Sequence, residues 1–149
     1  MRKKLLLTAS LLILIFIFSQ SCMSGDDSSA ESGRMLMLIL QITNKLPLPF
    51  EITEYMIRKL AHFTEFGVFG FFTSWTMYEY TNQIKTQIFK LLFILLSVPV
   101  IDETLQYFSP ERTPQVKDIL IDFSGSICGS MLIILIIFIL AKKNKKQIQ

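Results

Sequence analysis

A chain of 149 residues has the length of one modest domain. Hydrophobic residues make up 51% of it and charged residues only 18%, against roughly a quarter charged in a typical soluble domain. The apolar residues also fall in blocks long enough to cross a bilayer, with the charges gathered between them. This distribution argues against a soluble protein.

Basic residues cluster at both ends of the chain, directly beside apolar blocks, and the net charge is +3. Basic tails of a soluble protein could bind nucleic acid. Beside an apolar span they are more typical of cytoplasmic anchors that face anionic lipid. We therefore expect membrane lipid as a partner and no nucleic acid. The residues concerned are Arg2, Lys3, Lys4, Lys142, Lys143, Lys145 and Lys146.

The first apolar block covers residues 5–18 and predicts a span over about residues 5–22. A span needs about 20 residues, so the polar residues 19–21 would have to complete it at the outer surface. A cleaved signal peptide shows the same features, and Cys22 also suggests a lipoprotein processing site, although residues 19–21 match such a site poorly. The sequence favours a retained span and leaves cleavage open. Neither Cys22 nor Cys128 has the spacing of a metal ligand.

Residues 25–33 are polar and predict a loop, whereas residues 35–42 are almost wholly apolar but too few to span a membrane. We expect residues 35–42 to form a short extracytoplasmic interfacial helix. Lys45 and the Leu46-Pro47-Leu48-Pro49 run follow it, and the prolines should separate it from the next element.

Three further spans are predicted over about residues 57–80, 88–108 and 118–141. An even number of spans, with basic residues at both chain ends and at Lys85 and Lys90 between the second and third spans, favours both termini in the cytoplasm. The predicted fold is an all-α polytopic membrane helical bundle in a single domain, residues 1–149, with four transmembrane helices. We expect it in the cytoplasmic membrane.

Under this topology the ionisable residues of three spans fall at the outer end. Lys59, His62 and Glu65 recur at three-residue intervals and share a helix face. Carboxylates at membrane depth are costly, so Asp102 and Glu103 should face a polar cavity and pair with a cation. The predicted polar site consists of Lys59, His62, Glu65, Asp102, Glu103, Gln106, Arg112, Asp118 and Asp122.

Lys59, Arg112 and His62 are the expected partners of the two adjacent carboxylates, Asp102 and Glu103. Arg58 is expected to extend toward the outer headgroups instead. A buried ion-pair network that holds three helices together explains the same residues as well as a substrate site does. The sequence leaves both interpretations open.

Small residues predict close helix packing beside this site. Gly125 and Gly129 lie four residues apart on the face of the last span that carries Asp118 and Asp122. Such a small-xxx-small surface lets a neighbouring backbone approach closely. Gly67 and Gly70 on the second span are the candidate partner surface.

Three segments in order resemble the VanZ-like family of membrane proteins. Residues 58–66 read RKLAHFTEF, similar to the family's Lys-x-x-His-Phe element. Residues 102–108 read DETLQYF and lead into Pro110-Glu111-Arg112, similar to an Asp-Glu-x-x-Gln run followed by a loop arginine. Residues 118–129 read DILIDFSGSICG, in which Asp122 stands where the family commonly has asparagine.

The resemblance covers nearly the whole chain and implies a role in the cell envelope, with lowered susceptibility to teicoplanin-type glycopeptide antibiotics. It implies no particular biochemical activity. We expect the polar site to act at the outer leaflet, where it could bind a lipid-linked envelope precursor or the glycopeptide. A non-enzymatic accessory or structural membrane protein and a small ion-coupled transporter are the alternatives.

Catalysis has no clear signature in the chain. The sequence contains no Gly-rich phosphate loop, nucleophile elbow or HExxH motif, so enzymatic activity stays an open question. No cofactor and no metal are predicted, although one histidine among carboxylates would suit a hard divalent ion better than zinc. The oligomeric state is not indicated.

Overall fold

The computed structural model describes residues 1–43, 51–81 and 83–146, and within these ranges it is all-α. The helices are α1 (Arg2–Ser21), α2 (Gly25–Thr43), α3 (Glu54–Thr81), α4 (Ile88–Tyr107) and α5 (Val116–Lys146), with a short 3₁₀ turn, Lys85–Gln87, before α4. The all-α prediction is confirmed. Helices α1, α3, α4 and α5 cover the four apolar blocks of the sequence.

The prediction of a polar loop over residues 25–33 is wrong, because these residues form the first half of α2. Ser24 caps the helix. The backbone N–H of Asp27 donates to Ser24 Oγ at 3.1 Å, and Ser24 Oγ donates to Asp27 Oδ2 at 2.7 Å. Asp26 and Asp27 also place negative charge in the first turn, where the helix dipole favours it. The cap thus stabilises a helical segment that the hydrophobic pattern does not predict.

The predicted interfacial helix, residues 35–42, is the second half of the same 19-residue helix. The following run from Lys45 to Pro49 lies outside the described residues. At its other end α2 begins against the loop after α4, where the Gly25 N–H donates to the Pro110 carbonyl at 2.9 Å. A Cβ at Gly25 would overlap the Glu111 carbonyl, so this approach requires glycine.

Membrane-spanning character is clearest at the two ends of the chain. Helices α1 and α5 are each long and apolar enough to cross a bilayer. Helices α3 and α4 meet that criterion only as a pair, joined through a bend of 114°. One reason is that α4 carries Lys90, Asp102 and Glu103 within its 20 residues. The structure thus supports two spans, or three, and the number four stays a prediction.

The outward surface of the helices suits lipid. Large apolar side chains such as Phe89, Phe93 and Phe138 are 84%, 73% and 65% exposed. Contiguous exposure on that scale is unusual for a soluble monomer. The apolar core is small and lies between α1, α3 and α4, where it consists of Ile17, Phe66, Phe69, Leu91, Leu95 and Val98.

Polar contacts reveal the directions of the helices. The N-terminal end of α1 meets the C-terminal end of α3, where Arg2 pairs with Glu79 at 2.9 Å. Helices α3 and α5 instead run parallel, since a carbonyl early in α3 faces Gly125 and Ser74 donates to Ser130 at 2.7 Å further along both helices. Helix α4 returns its C-terminal end to the start of α5.

The predicted glycines lie at the contact between α3 and α5. A Cβ at Gly125 would overlap the Phe63 carbonyl, and a Cβ at Gly129 would overlap the Gly67 carbonyl. From the opposite side, a Cβ at Gly70 would overlap the carbonyl of Ser126. The obstructing atoms belong to helical backbone, which cannot swing aside as a flexible side chain can.

We expect Gly129→Ala to destabilise the protein by ~1–3 kcal/mol, because one added methyl group must force two helices apart. Gly33→Ala is the matched control, since no atom lies within 4 Å of a Cβ at that position. Thermal unfolding of both variants in the same detergent measures the difference. Equal melting temperatures for Gly129→Ala and the wild type would contradict the close approach.

Candidate functional site

Most of the predicted polar residues collect at one end of the bundle. This end is formed by the last turn of α1, the first turns of α3, the last turns of α4 and the first turns of α5. It is the end opposite the Arg2–Glu79 pair. The antiparallel and parallel helix directions bring together residues such as Gln20 and Arg112, which are 92 positions apart in the sequence.

His62, Asp102 and Asp122 form the centre of the site. One ligand-type atom of each lies within 4.8 Å of those of the other two. The side chains of Asp102 and Asp122 are fully buried, and His62 is 20% exposed. His62 Nδ1 lies 3.5 Å from Asp122 Oδ1. Three helices, α3, α4 and α5, thus each contribute one titratable side chain to a single point.

Asp102 is held by neutral groups. Ser21 Oγ at the end of α1 donates to Asp102 Oδ1, and Gln106 Nε2, one turn along α4, donates to Oδ2 at 2.9 Å. The expected ion pairs of Asp102 with Lys59 and Arg112 are not found within the described part of the chain. Helix α1 ends beside Asp102, so its serine is the nearer donor.

Lys59 pairs instead with Asp118, at 2.5 Å between Nζ and Oδ1. The two side chains are 17% and 13% exposed, so the pair is partly shielded from solvent. Glu103, also expected to pair with a cation, accepts a hydrogen bond from the backbone N–H of Gln115 at 2.9 Å. Glu103 therefore anchors the chain as it enters α5.

Arg112 lies in the loop between α4 and α5 and binds the end of α1. Its Nε donates to the Met23 carbonyl and its Nη2 to the Gln20 carbonyl, both at 3.3 Å. No carboxylate of the described residues lies within ion-pairing distance of it. Burial lowers the pKa of Arg112, and the nearby charge of Arg58 lowers it further. An arginine keeps its proton under these conditions, so its positive charge is only partly compensated.

A cavity of about 220 Å³ opens beside this cluster, between α1, α2, α3 and α4. Its polar wall includes Arg58, Arg112, Glu65 and Gln106, as well as the central His62 and Asp102. Its apolar wall includes Phe16, Ile17, Met35 and Ile57.

A second cavity, of about 180 Å³, adjoins the first and shares with it Arg58, His62, Gln106 and Arg112. Arg58, Arg112 and His62 thus line both cavities and lie between them. Lys59 and Asp118 line only the second space. Asp122 and Glu103 line neither.

Sequence reasoning missed several contributors. Arg58 was expected to point toward headgroups, but it lines both cavities and pairs only loosely with Glu54, at 3.5 Å. Ser21 was considered only as the end of a span or a processing signal. Helix α2 covers the first cavity with Glu31 and Met35. These residues follow no periodic pattern in the sequence. For Ser21, the one signal is a serine that comes directly after an apolar span.

The chain matches a family model described as VanZ/LLP1 over residues 5–139. It belongs to the VanZ/LLP1 family. The resemblance expected from the three motifs is confirmed over nearly the whole chain, and family membership together with the apolar helices identifies a membrane protein. No curated protein and no solved structure gives a significant match.

We expect Lys59 and Asp118 to be energetically coupled by ~1–3 kcal/mol in a double-mutant cycle with Lys59→Met and Asp118→Asn. Partial burial reduces screening, and each single change leaves the other charge unpaired. Arg58 and Glu54 provide the control pair, since they lie four residues apart, are more exposed and should couple by ~0.2–0.5 kcal/mol. The measurement is the free energy of unfolding of the wild type, the two single variants and the double variant in each cycle. Equal coupling energies in the two cycles would show that partial burial does not strengthen the Lys59–Asp118 pair.

Proposed function

We propose that this protein is an integral membrane protein of the cell envelope that binds an amphipathic anion at the outer leaflet and thereby lowers susceptibility to glycopeptide antibiotics. The observation that carries the proposal is the first cavity, where two guanidinium groups and an apolar wall meet at the ends of membrane helices. A lipid-linked phosphate matches both halves of that lining. The proposed ligand is therefore a lipid-linked envelope precursor.

The two arginines support an anionic headgroup, although Glu31, Glu65 and Asp102 line the same cavity. Arg112 has carbonyl partners but no close carboxylate, and the side chain of Arg58 is 30% exposed beside it. Planar guanidinium groups bind phosphate through paired N–H donors. An apolar tail could follow Phe16 and Met35 toward the lipid-facing surface.

We further propose four spans in the cytoplasmic membrane, with both termini in the cytoplasm. The helix directions support this arrangement, because α1 and α4 run one way while α3 and α5 run the other. The basic residues at the start of α1 and at the end of α5 then face the same side. The polar site would occupy the outer end.

Cysteine accessibility tests the topology. In a Cys22→Ala, Cys128→Ala background, a cysteine introduced at Thr113 should react with an impermeant thiol reagent added to whole cells, and one introduced at Gln149 should react only after lysis. Thr113 lies in the loop at the polar end of the bundle. Labelling of the Gln149 position from outside would overturn the proposed orientation.

Ligand binding and protection should depend on the two arginines. Each lost charge-assisted contact costs about 1.5 kcal/mol, or about tenfold in Kd. We expect Arg58→Gln and Arg112→Gln each to weaken binding of an isoprenyl pyrophosphate by about tenfold and to raise teicoplanin susceptibility at equal protein abundance. Inorganic pyrophosphate and the phosphate-free isoprenyl alcohol separate headgroup from tail.

Arg34→Gln is the matched control, because Arg34 is exposed and, among the described residues, its partner is a carbonyl of its own helix. Unchanged binding and susceptibility in both site variants would refute the proposal. Equal losses in all three variants would indicate a general charge effect rather than this site.

A structural role is the second candidate, and specific contacts favour it. The Ser21–Asp102 bond joins α1 to α4, and the Lys59–Asp118 pair joins α3 to α5. If these contacts serve only to hold the bundle together, Asp102→Asn should lower protein abundance, and protection should fall only in proportion. A loss of protection at normal abundance favours ligand binding.

A further inference from the structure

Asp122 is the least satisfied polar group at the centre of the site. Its side chain is fully buried, and neither carboxylate oxygen has a hydrogen-bond partner among the described residues. His62 Nδ1 lies 3.5 Å away and likewise has no hydrogen-bond partner in that part of the chain. Lys59, one turn away on α3, is occupied by Asp118. A carboxyl group buried in this way must be compensated either by a proton or by a nearby positive charge.

A second carboxylate at the same point adds to this requirement. Asp102 is also fully buried, and its two hydrogen bonds come from the neutral groups of Ser21 and Gln106. Two carboxylates and one imidazole therefore converge, and no lysine or arginine belongs to this group of described residues. A single histidine, even when protonated, supplies at most one positive charge for two negative ones.

We propose that His62, Asp102 and Asp122 bind a divalent transition-metal cation. The ligand atoms lie within 4.8 Å of one another, and three ligands on one ion at ~2.1 Å are mutually at most about 3.6 Å apart. A side-chain shift of roughly 0.7 Å per residue closes the site. An imidazole nitrogen with two carboxylate oxygens suits the hard ion Mn²⁺ better than Zn²⁺, whereas Mg²⁺ and Ca²⁺ prefer oxygen ligands alone.

The hydrogen bonds of Asp102 are compatible with metal binding. A carboxylate oxygen has more than one lone pair, so Ser21 and Gln106 can orient the carboxylate while it coordinates the ion. Such outer partners are the normal surroundings of a metal ligand. The first cavity, which His62 and Asp102 line, provides a path for the ion and for water as a further ligand. The proposal does not depend on the anionic ligand suggested above.

Metal titration of the untagged full-length protein in detergent tests the proposal. After treatment with a chelator, the protein is dialysed against Mn²⁺ or, separately, Zn²⁺, and bound metal is measured by elemental analysis. We expect one ion per chain and a rise in melting temperature on addition of metal. Asp122→Asn and His62→Gln should each weaken binding at least about tenfold, the lower end of what even outer-partner changes cost.

Asp118→Asn is the matched control, because it makes the same change one turn away on the same helix, at a carboxylate that already pairs with Lys59. It should retain the metal. Binding that is equally strong in Asp118→Asn, Asp122→Asn and His62→Gln would place the ion elsewhere and overturn the assignment. If the wild type binds neither Mn²⁺ nor Zn²⁺ stoichiometrically, the assignment is wrong whatever the variants do. A protonated His62 between the two carboxylates would then account for the cluster.

Discussion

Backbone carbonyls of α3 lie directly against Gly125 and Gly129 of α5, close enough that a Cβ at either glycine would overlap them. Lipid tails do not drive apolar helices together, so close backbone contact of this kind supplies much of their attraction in a bilayer. The helices run parallel, and the register that sets Phe63 against Gly125 also sets His62 beside Asp122 and Lys59 beside Asp118. The geometry of the charged end of the bundle therefore depends on the apolar contact between α3 and α5.

The two buried carboxylates differ because different helices surround them. Asp102 faces the end of α1 and receives a hydroxyl donor, whereas Asp122 faces α3, where the His62 Nδ1 lies 3.5 Å from its Oδ1. The outer part of the site is arranged differently again. There Arg112 and Arg58 stand next to each other with few acidic partners. Asp102 and Asp122 thus place carboxylates inside the bundle, whereas the cavities at its mouth carry the two arginines together with Glu31, Glu65 and Glu111.

Much of this could be read from the sequence. Hydropathy located four of the five helices, and spacing identified the glycine face and the residues that meet at the centre of the site. The choice of partners could not be read. Whether Lys59 meets Asp102 or Asp118 depends on which helices are neighbours and on their relative rotation, and periodicity within one helix says nothing about either. Only the second half of α2 was predicted, because its first half depends on the Ser24 cap rather than on an apolar face.

The end of α1 is bound on three sides. Ser109 donates to the Ser21 carbonyl at 2.8 Å, Arg112 donates to carbonyls on either side of it, and the Ser21 hydroxyl reaches Asp102. Ile17 fills the core against Phe66. A protease that removed α1 as an export signal would leave a buried carboxylate without a donor, a guanidinium without acceptors and an open core. Helix α1 lines the first cavity with Phe16, Ile17 and Gln20, and a mature protein that keeps this cavity must keep that helix.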